Sequence, residues 1–285
     1  MSRPAPLRGA IAAAATPLTE GGRSLDLDAV DALVAFLAAG GLDGALVAGT
    51  TGEGVLLHVD ERRRLAERFL GARPPGFAVA VHAGAQSTED TVTLAAHARD
   101  AGADAVAVIA PPYFPLDPDE LFTHLAAAAR AAEPLPFYVY EFAGRSGYPI
   151  PVPVIERLRA SAGNLTGLKV SDTPFDAVRP YLLDGLDVFV GSEPLVLDGL
   201  AEGAVGSVSG LATAWPDVVA ALVHDRDQEA GRRVAALRDG LAEIPFHAAL
   251  KHVLVRRGVL PCGDVRPPLR TLTVDERARV DALRD

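Results

Sequence analysis

The sequence predicts an α/β fold, a (β/α)8 TIM barrel carrying a C-terminal helical extension. Three observations lead there. Short runs rich in Val, Ala, Ile and Leu alternate with longer segments of helical period almost from end to end. Eight such runs fall within roughly 215 residues, the number that a closed barrel requires. They are continuously apolar rather than alternating, which suits strands covered by helices on both faces and joined by right-handed parallel crossovers. A doubly wound open sheet satisfies the same alternation, but no G-x-G-x-x-G follows the first run, which weakens a dinucleotide-binding version of it.

In chain order the strand-like runs are Gly9–Ala14, Gly44–Val47, Ala78–Val81, Ala105–Ile109, Phe137–Tyr140, Leu165–Lys169, Val188–Val190 and Ala204–Val208. The segment after Asp26 places Val30, Leu33, Val34 and Leu37 on one helical face and stops at Gly40–Gly41. Asp60, Thr88 and Asp117 stand where helix N-caps are needed for the next three amphipathic segments. Beyond His224 the chain lacks strand signals and reads as helices. Residues 1–224 are therefore expected to form the barrel and 225–285 to pack on it, within one structural domain.

Charge and composition exclude several classes. A net charge of -10 opposes nucleic acid or an anionic membrane as partner, since both need basic patches. One cysteine, Cys262, allows neither an intrachain disulfide nor a cysteine zinc cluster. The N-terminal run, punctuated by Pro4, Pro6 and Pro17, reads as a first strand and not as a signal peptide, so a cytoplasmic location is expected. The seven histidines show no H-E-x-x-H spacing, so no metal is expected, and neither G-x-S-x-G nor a P-loop is present.

Lysine usage is the sharpest signal. Lys and Arg number 27 together, yet only Lys169 and Lys251 are lysines. Arginine cannot serve as an amine nucleophile because its guanidinium stays protonated, whereas a desolvated ammonium can lose its proton. Lys169 ends an apolar strand run, where it is either a snorkelling cation or such an amine; Lys251 competes on scarcity but lies in a late helix outside the barrel pattern.

A barrel of this kind builds its site at the C-terminal ends of its strands. After the second run comes Gly49-Thr50-Thr51-Gly52-Glu53-Gly54, whose hydroxyls and backbone N–H groups either cradle a carboxylate or simply make a tight turn. Tyr140 ends the fifth run as a core residue or a rim hydroxyl. Arg145 follows in the next loop as a surface cation or a carboxylate clamp.

Taken in order, Ala15-Thr16-Pro17-Leu18, the Gly49–Gly54 segment, Gly167-Leu168-Lys169 and Val265-Arg266-Pro267-Pro268-Leu269 give the chain its resemblance to the dihydrodipicolinate synthase / N-acetylneuraminate lyase family of class I aldolases. The likeness spans nearly the whole chain. It implies that Lys169 forms a Schiff base with pyruvate or another 2-oxo acid and that Thr50 and Thr51, with Gly49, hold that acid's carboxylate. It further implies that Tyr140 shuttles protons with Thr50 and with Tyr113 supplied by a neighbouring subunit, that Arg145 grips the carboxylate of an aldehyde, and that the Val208 carbonyl lines the site. No cofactor is implied, because the protonated imine is itself the electron sink. A homotetramer or homodimer follows from the shared tyrosine.

The chain also departs from the family pattern. Tyr140-Glu141-Phe142-Ala143 replaces the usual Tyr-Asn and proline-containing segment, and the Glu141 carboxylate is expected at the substrate, where it would repel an acidic partner. Pro111-Pro112-Tyr113 replaces Pro-Tyr-Tyr, and a one-residue shift of register would put Phe114 in the relay position. The missing aromatic at Pro112 and Val59 in the preceding loop argue against lysine feedback. Three functions stay open: dihydrodipicolinate synthase-like condensation, cleavage or dehydration of a sialic or 2-keto-3-deoxy sugar acid, and a barrel that binds 2-oxo acids without turnover.

Overall fold

Each of the eight apolar runs pairs in parallel with its sequence neighbours, and the last returns to the first. The computed structural model describes residues 5–283. The strands are β1 (Gly9–Ala13), β2 (Gly44–Val47), β3 (Ala78–His82), β4 (Ala105–Ile109), β5 (Phe137–Glu141), β6 (Leu165–Val170), β7 (Asp187–Val190) and β8 (Gly206–Ser209). Gly206 of β8 lies against Gly9 of β1, which closes the barrel. All eight expected strands are present. Six of them shift at one or both ends by one or two residues, because ladder bonds and not hydropathy decide where a strand stops. A two-residue antiparallel pairing of Leu18–Thr19 with Ser24–Leu25 occupies what reads in sequence as plain loop.

The strands are apolar on both sides because both sides are covered. Inside the barrel, Ile11, Ala13, Leu46, Ala80, Ala107, Tyr138, Phe189 and Val208 form one cluster. Alanines on adjacent strands leave room for the Tyr138 and Phe189 rings, which meet edge to face at 5.8 Å. The Tyr138 hydroxyl accepts the Leu7 N–H at 3.0 Å, so its polar tip is satisfied.

The outer faces pack against α1 (Val30–Ala39), α2 (Val59–Ala72), α3 (Thr88–Asp100), α4 (Pro118–Ala132), α5 (Val152–Ser161), α6 (Phe175–Val178), α7 (Val196–Ala201) and α8 (Pro216–His224). The four residues expected on the core face of α1 are all buried. Asp117 caps α4, accepting the Asp119 and Glu120 N–H groups. Two caps differ from expectation. Ser87, not Thr88, caps α3 by accepting the Asp90 N–H; α2 starts after His58, whose N–H donates to Glu61, so Asp60 sits in the first turn.

Three further helices follow, α9 (Gln228–Leu241), α10 (Phe246–Arg256) and α11 (Val274–Asp281). Leu237, Leu250, Leu254 and Val280 join Val34 and Leu222 in one apolar cluster, so the extension shares a core with the barrel wall. Among the described residues no helix is long and apolar enough to cross a membrane.

Candidate active site

Inward-facing side chains at the C-terminal rim surround a cavity of about 1070 Å³. Lys169, the next-to-last residue of β6, alternates inward while Leu168 and Val170 join the outer core. It is only 6% exposed. Its Nζ lies 3.9 Å from the centroid of the Tyr140 ring. Gly191, after β7, makes this placement feasible: a Cβ there would meet Ser171 Oγ at 2.0 Å and Lys169 Cε at 3.1 Å.

Tyr140 faces inward from β5, and its hydroxyl is 3.2 Å from Thr50 Oγ1. The turn that carries Thr50 is held on several sides. Ala48 and Glu53 flank it in the left-handed region, with φ of 56° and 57°. Ala48 O accepts from His82 Nδ1 at 3.2 Å, and Thr50 O accepts from His247 Nε2 at 2.9 Å. Both carbonyls can only accept, so each imidazole nitrogen carries a proton there. Gly49, Thr51 and Val208 line the same cavity.

The electrostatics of the cavity run against the net charge of the chain. Buried Arg62 donates to the His82 and Gly84 carbonyls, and its burial lowers its pKa to about 10. His82 packs edge-on to Tyr140 at 5.9 Å. Burial, together with the charges of Arg62 and Lys169, lowers the His82 pKa to about 3, so the ring is neutral at any physiological pH. Arg145, Arg238 and Arg270 stand around the cavity. Arg238 is paired with Glu193 and Arg270 with Glu276. Arg145 sits on the helical turn Ala143–Ser146 with its guanidinium 5.7 Å from the Phe142 centroid, and no carboxylate pairs with it among the described residues. The cavity thus presents a cation free to take up an anion.

Two expected site residues stand elsewhere. Glu141 does not reach the cavity: it alternates outward from Tyr140, is 1% exposed, and accepts the Ile150 N–H at 2.8 Å. Its carboxyl therefore cannot repel a substrate directly, because strand alternation turns it into the helix layer. Tyr113 is 83% exposed, with a φ of 87°, and stacks edge to face on exposed Phe114 at 4.8 Å. Within one chain it does not approach Tyr140, and Pro112 lines the cavity in its place.

Lys251 was undervalued by sequence. It is buried and pairs with Glu53 at 2.6 Å, while donating to Asp264 O at 2.6 Å. Burial lowers its pKa, opposed by the Glu53 charge. Glu53 also accepts the Arg266 N–H at 2.6 Å. The same scarcity that singled out Lys169 marked this residue, but here lysine persists as a compact cation in a closed slot rather than as a nucleophile. With His247, it ties α10 and the Val265–Leu269 segment to the threonine turn.

Similarity to known proteins agrees with this geometry. A family described as the dihydrodipicolinate synthetase family matches residues 6–284. A 4-hydroxy-tetrahydrodipicolinate synthase of Thermus thermophilus is 33% identical over 95% of this chain and 94% of its own length. An uncharacterised DapA-like lyase of Chloroflexus aurantiacus is 34% identical over 96% and 95%. Among solved structures, dihydrodipicolinate synthase from Aquifex aeolicus superposes with a TM-score of 0.89 at 25% identity, covering 97% of both chains. The N-acetylneuraminate lyase of Proteus mirabilis gives 0.87 at 30% identity, again over 97% of both. The chain belongs to the dihydrodipicolinate synthetase family, whose members are class I aldolase-type lyases.

Proposed function

We propose that the protein joins pyruvate, or a closely related 2-oxo acid, to an aldehyde that carries a carboxylate, through an imine on Lys169. This is the chemistry of 4-hydroxy-tetrahydrodipicolinate synthase, the activity for which the Thermus relative is named. The unpaired guanidinium of Arg145 at the cavity mouth carries the choice of second substrate.

In this reading the 2-oxo acid's carboxylate rests on the Thr50–Thr51 turn. The Lys169 amine, once it has given up a proton, attacks the keto carbon, and the carbonyl oxygen departs as water after taking up protons. The protonated imine then withdraws electrons, so that loss of a proton from the adjacent carbon gives an enamine. The Tyr140 hydroxyl, bonded to Thr50, is placed to move these protons. The enamine carbon attacks the aldehyde, one carbon–carbon bond forms, the new alkoxide is protonated, and hydrolysis returns the amine. No cofactor is required. Tyr113 from a second copy completes the relay, which makes the working form a homo-oligomer, and the proposed location is cytoplasmic.

The cavity volume favours a second reading, cleavage or dehydration of a sugar acid, since about 1070 Å³ is ample for a longer hydroxylated chain. The imine step is common to both. Borohydride reduction with pyruvate, followed by peptide mapping, tests it. A pyruvate-derived mass gain on the peptide containing Lys169 is expected; no gain, or a gain on Lys251, overturns the mechanism. Turnover of aspartate semialdehyde against a panel of sugar acids then separates the two readings.

A further inference from the structure

The displaced Glu141 has a role that its burial suggests. Its Oε2 accepts the Ile150 N–H at 2.8 Å, whereas its Oε1 is buried without a hydrogen-bond partner. Asp172, just past β6, adds its negative charge to the surroundings of Glu141, and its Oδ2 accepts the Ala143 N–H at 3.3 Å. A carboxyl group that is 1% exposed and has no cation beside it favours its neutral form. Neither Glu141 nor Asp172 forms an ion pair among the described residues. The other titratable groups near the pair are Tyr148 and Tyr181, both raised by burial, with Glu120 adding to the field at Tyr148. Lys169 points the opposite way, into the cavity.

The two anchored amides bracket one loop. Ala143 begins it and Ile150 ends it, and between them the turn Ala143–Ser146 carries Arg145. Tyr181 reinforces the far end by donating to Ile150 O at 3.0 Å, and Ser146 Oγ donates to Tyr148 O at 2.7 Å. We propose that Glu141 is a positioning residue for Arg145: from inside the helix layer it holds the Ile150 amide at one end of the loop, while Asp172 holds the Ala143 amide at the other, and so sets the loop presenting the guanidinium to the second substrate. The inference rests on the reading of Arg145 as the clamp for that substrate. Burial, with the Asp172 charge adding to it, raises the Glu141 pKa to about 8, so the hold of this buried acid on the loop weakens as pH rises through 8.

Hydrogen exchange of the peptide spanning residues 142–150, corrected for intrinsic rates, tests this hold without any substrate. In the unsubstituted protein, protection should fall roughly thirtyfold between pH 6.5 and 9, since one proton is released on opening over the interval up to pH 8. Glu141→Gln, neutral at both values and able to donate and accept, should abolish that change; Glu141→Ala should be unprotected at both. With substrates, Glu141→Ala should raise KM for the carboxylated aldehyde about tenfold, the effect of weakening one charge-assisted contact, and leave pyruvate trapping on Lys169 intact. Protection independent of pH in the unsubstituted protein, or Glu141→Ala matching it in protection and KM, overturns the proposal. Failure of pyruvate trapping instead overturns the imine reading, and the exchange result stands apart from it.

Discussion

Lys169 holds its Nζ 3.9 Å from the ring centroid of Tyr140, and the hydroxyl of that ring meets Thr50 3.2 Å away. The ring face stabilises a cation on the lysine while the ring edge carries the acid–base group. An imine needs both, since its nitrogen must be held protonated and its neighbouring carbon must lose and regain protons. Tyr140→Phe keeps the ring and deletes the hydroxyl. Turnover should fall roughly 10²- to 10³-fold, within the range of a general acid–base contribution, and imine trapping should survive at a lower rate. Pre-steady-state trapping with borohydride measures the split; an unimpaired turnover would remove Tyr140 from the relay.

Arg145 differs from the other cavity arginines in lacking a carboxylate. Arg145→Ala should therefore raise KM for a carboxylated second substrate roughly 10- to 100-fold, the worth of a charge-assisted hydrogen bond, with little effect on pyruvate trapping. Arg145→Lys should recover only part of the loss, since one ammonium cannot reproduce a bidentate fork. Equal losses for both substrates would instead assign Arg145 to the integrity of the loop.

How much of this was legible in the sequence depends on what each feature rests on. Strand burial on two faces is written directly as unbroken apolar runs, so β2 and β4 have the bounds expected of them. Lys169 was legible because a composition nearly free of lysine made it conspicuous. Glu141 was misjudged for a geometric reason: one residue of strand register decides whether a side chain faces cavity or helix, and the family pattern aligns residues without stating which way they point. The Glu53–Lys251 pair escaped because its partners are almost two hundred residues apart. Tyr113 cannot be placed by one chain, since the site it would enter belongs to another copy.

That pair yields a stability prediction. Lys251 and Glu53 are both fully buried and 2.6 Å apart. Removing one partner strands the other charge in the interior, at a cost of about 3–5 kcal/mol. Lys251→Met should lower the Tm by roughly 10 °C or more, given a few degrees per kcal/mol for a chain of this size. It should also loosen the threonine turn and raise KM for pyruvate. Lys251→Arg should fail as well, because a planar guanidinium does not fit a slot formed around an ammonium. Calorimetry of the three proteins decides, and an arginine variant as stable as the parent would sink the steric part of the argument.

Stability against pH should show two opposed slopes. The pKa of His82 falls to about 3 and that of His124 to about 4, both by burial first. Below the unfolded value near 6.5 the unfolded chain binds these protons and the native state does not, so stability is lost as pH falls, at up to about 1.4 kcal/mol per pH unit per histidine. Glu141 works in the other direction. Its pKa is raised to about 8, so its contribution is complete below the unfolded value of 4.5 and is lost as pH rises through 8. Between pH 4.5 and 6.5 two histidines outweigh one glutamate and stability still climbs; from about 6.5 to 8 only the glutamate titrates and stability declines. The optimum should thus lie near pH 6.5, and Glu141→Gln should flatten the alkaline branch and, by removing the opposing titration, steepen the acid branch between pH 4.5 and 6.5. Chemical denaturation at half-unit pH steps measures both branches. An alkaline slope that persists in Glu141→Gln would assign that proton to another group.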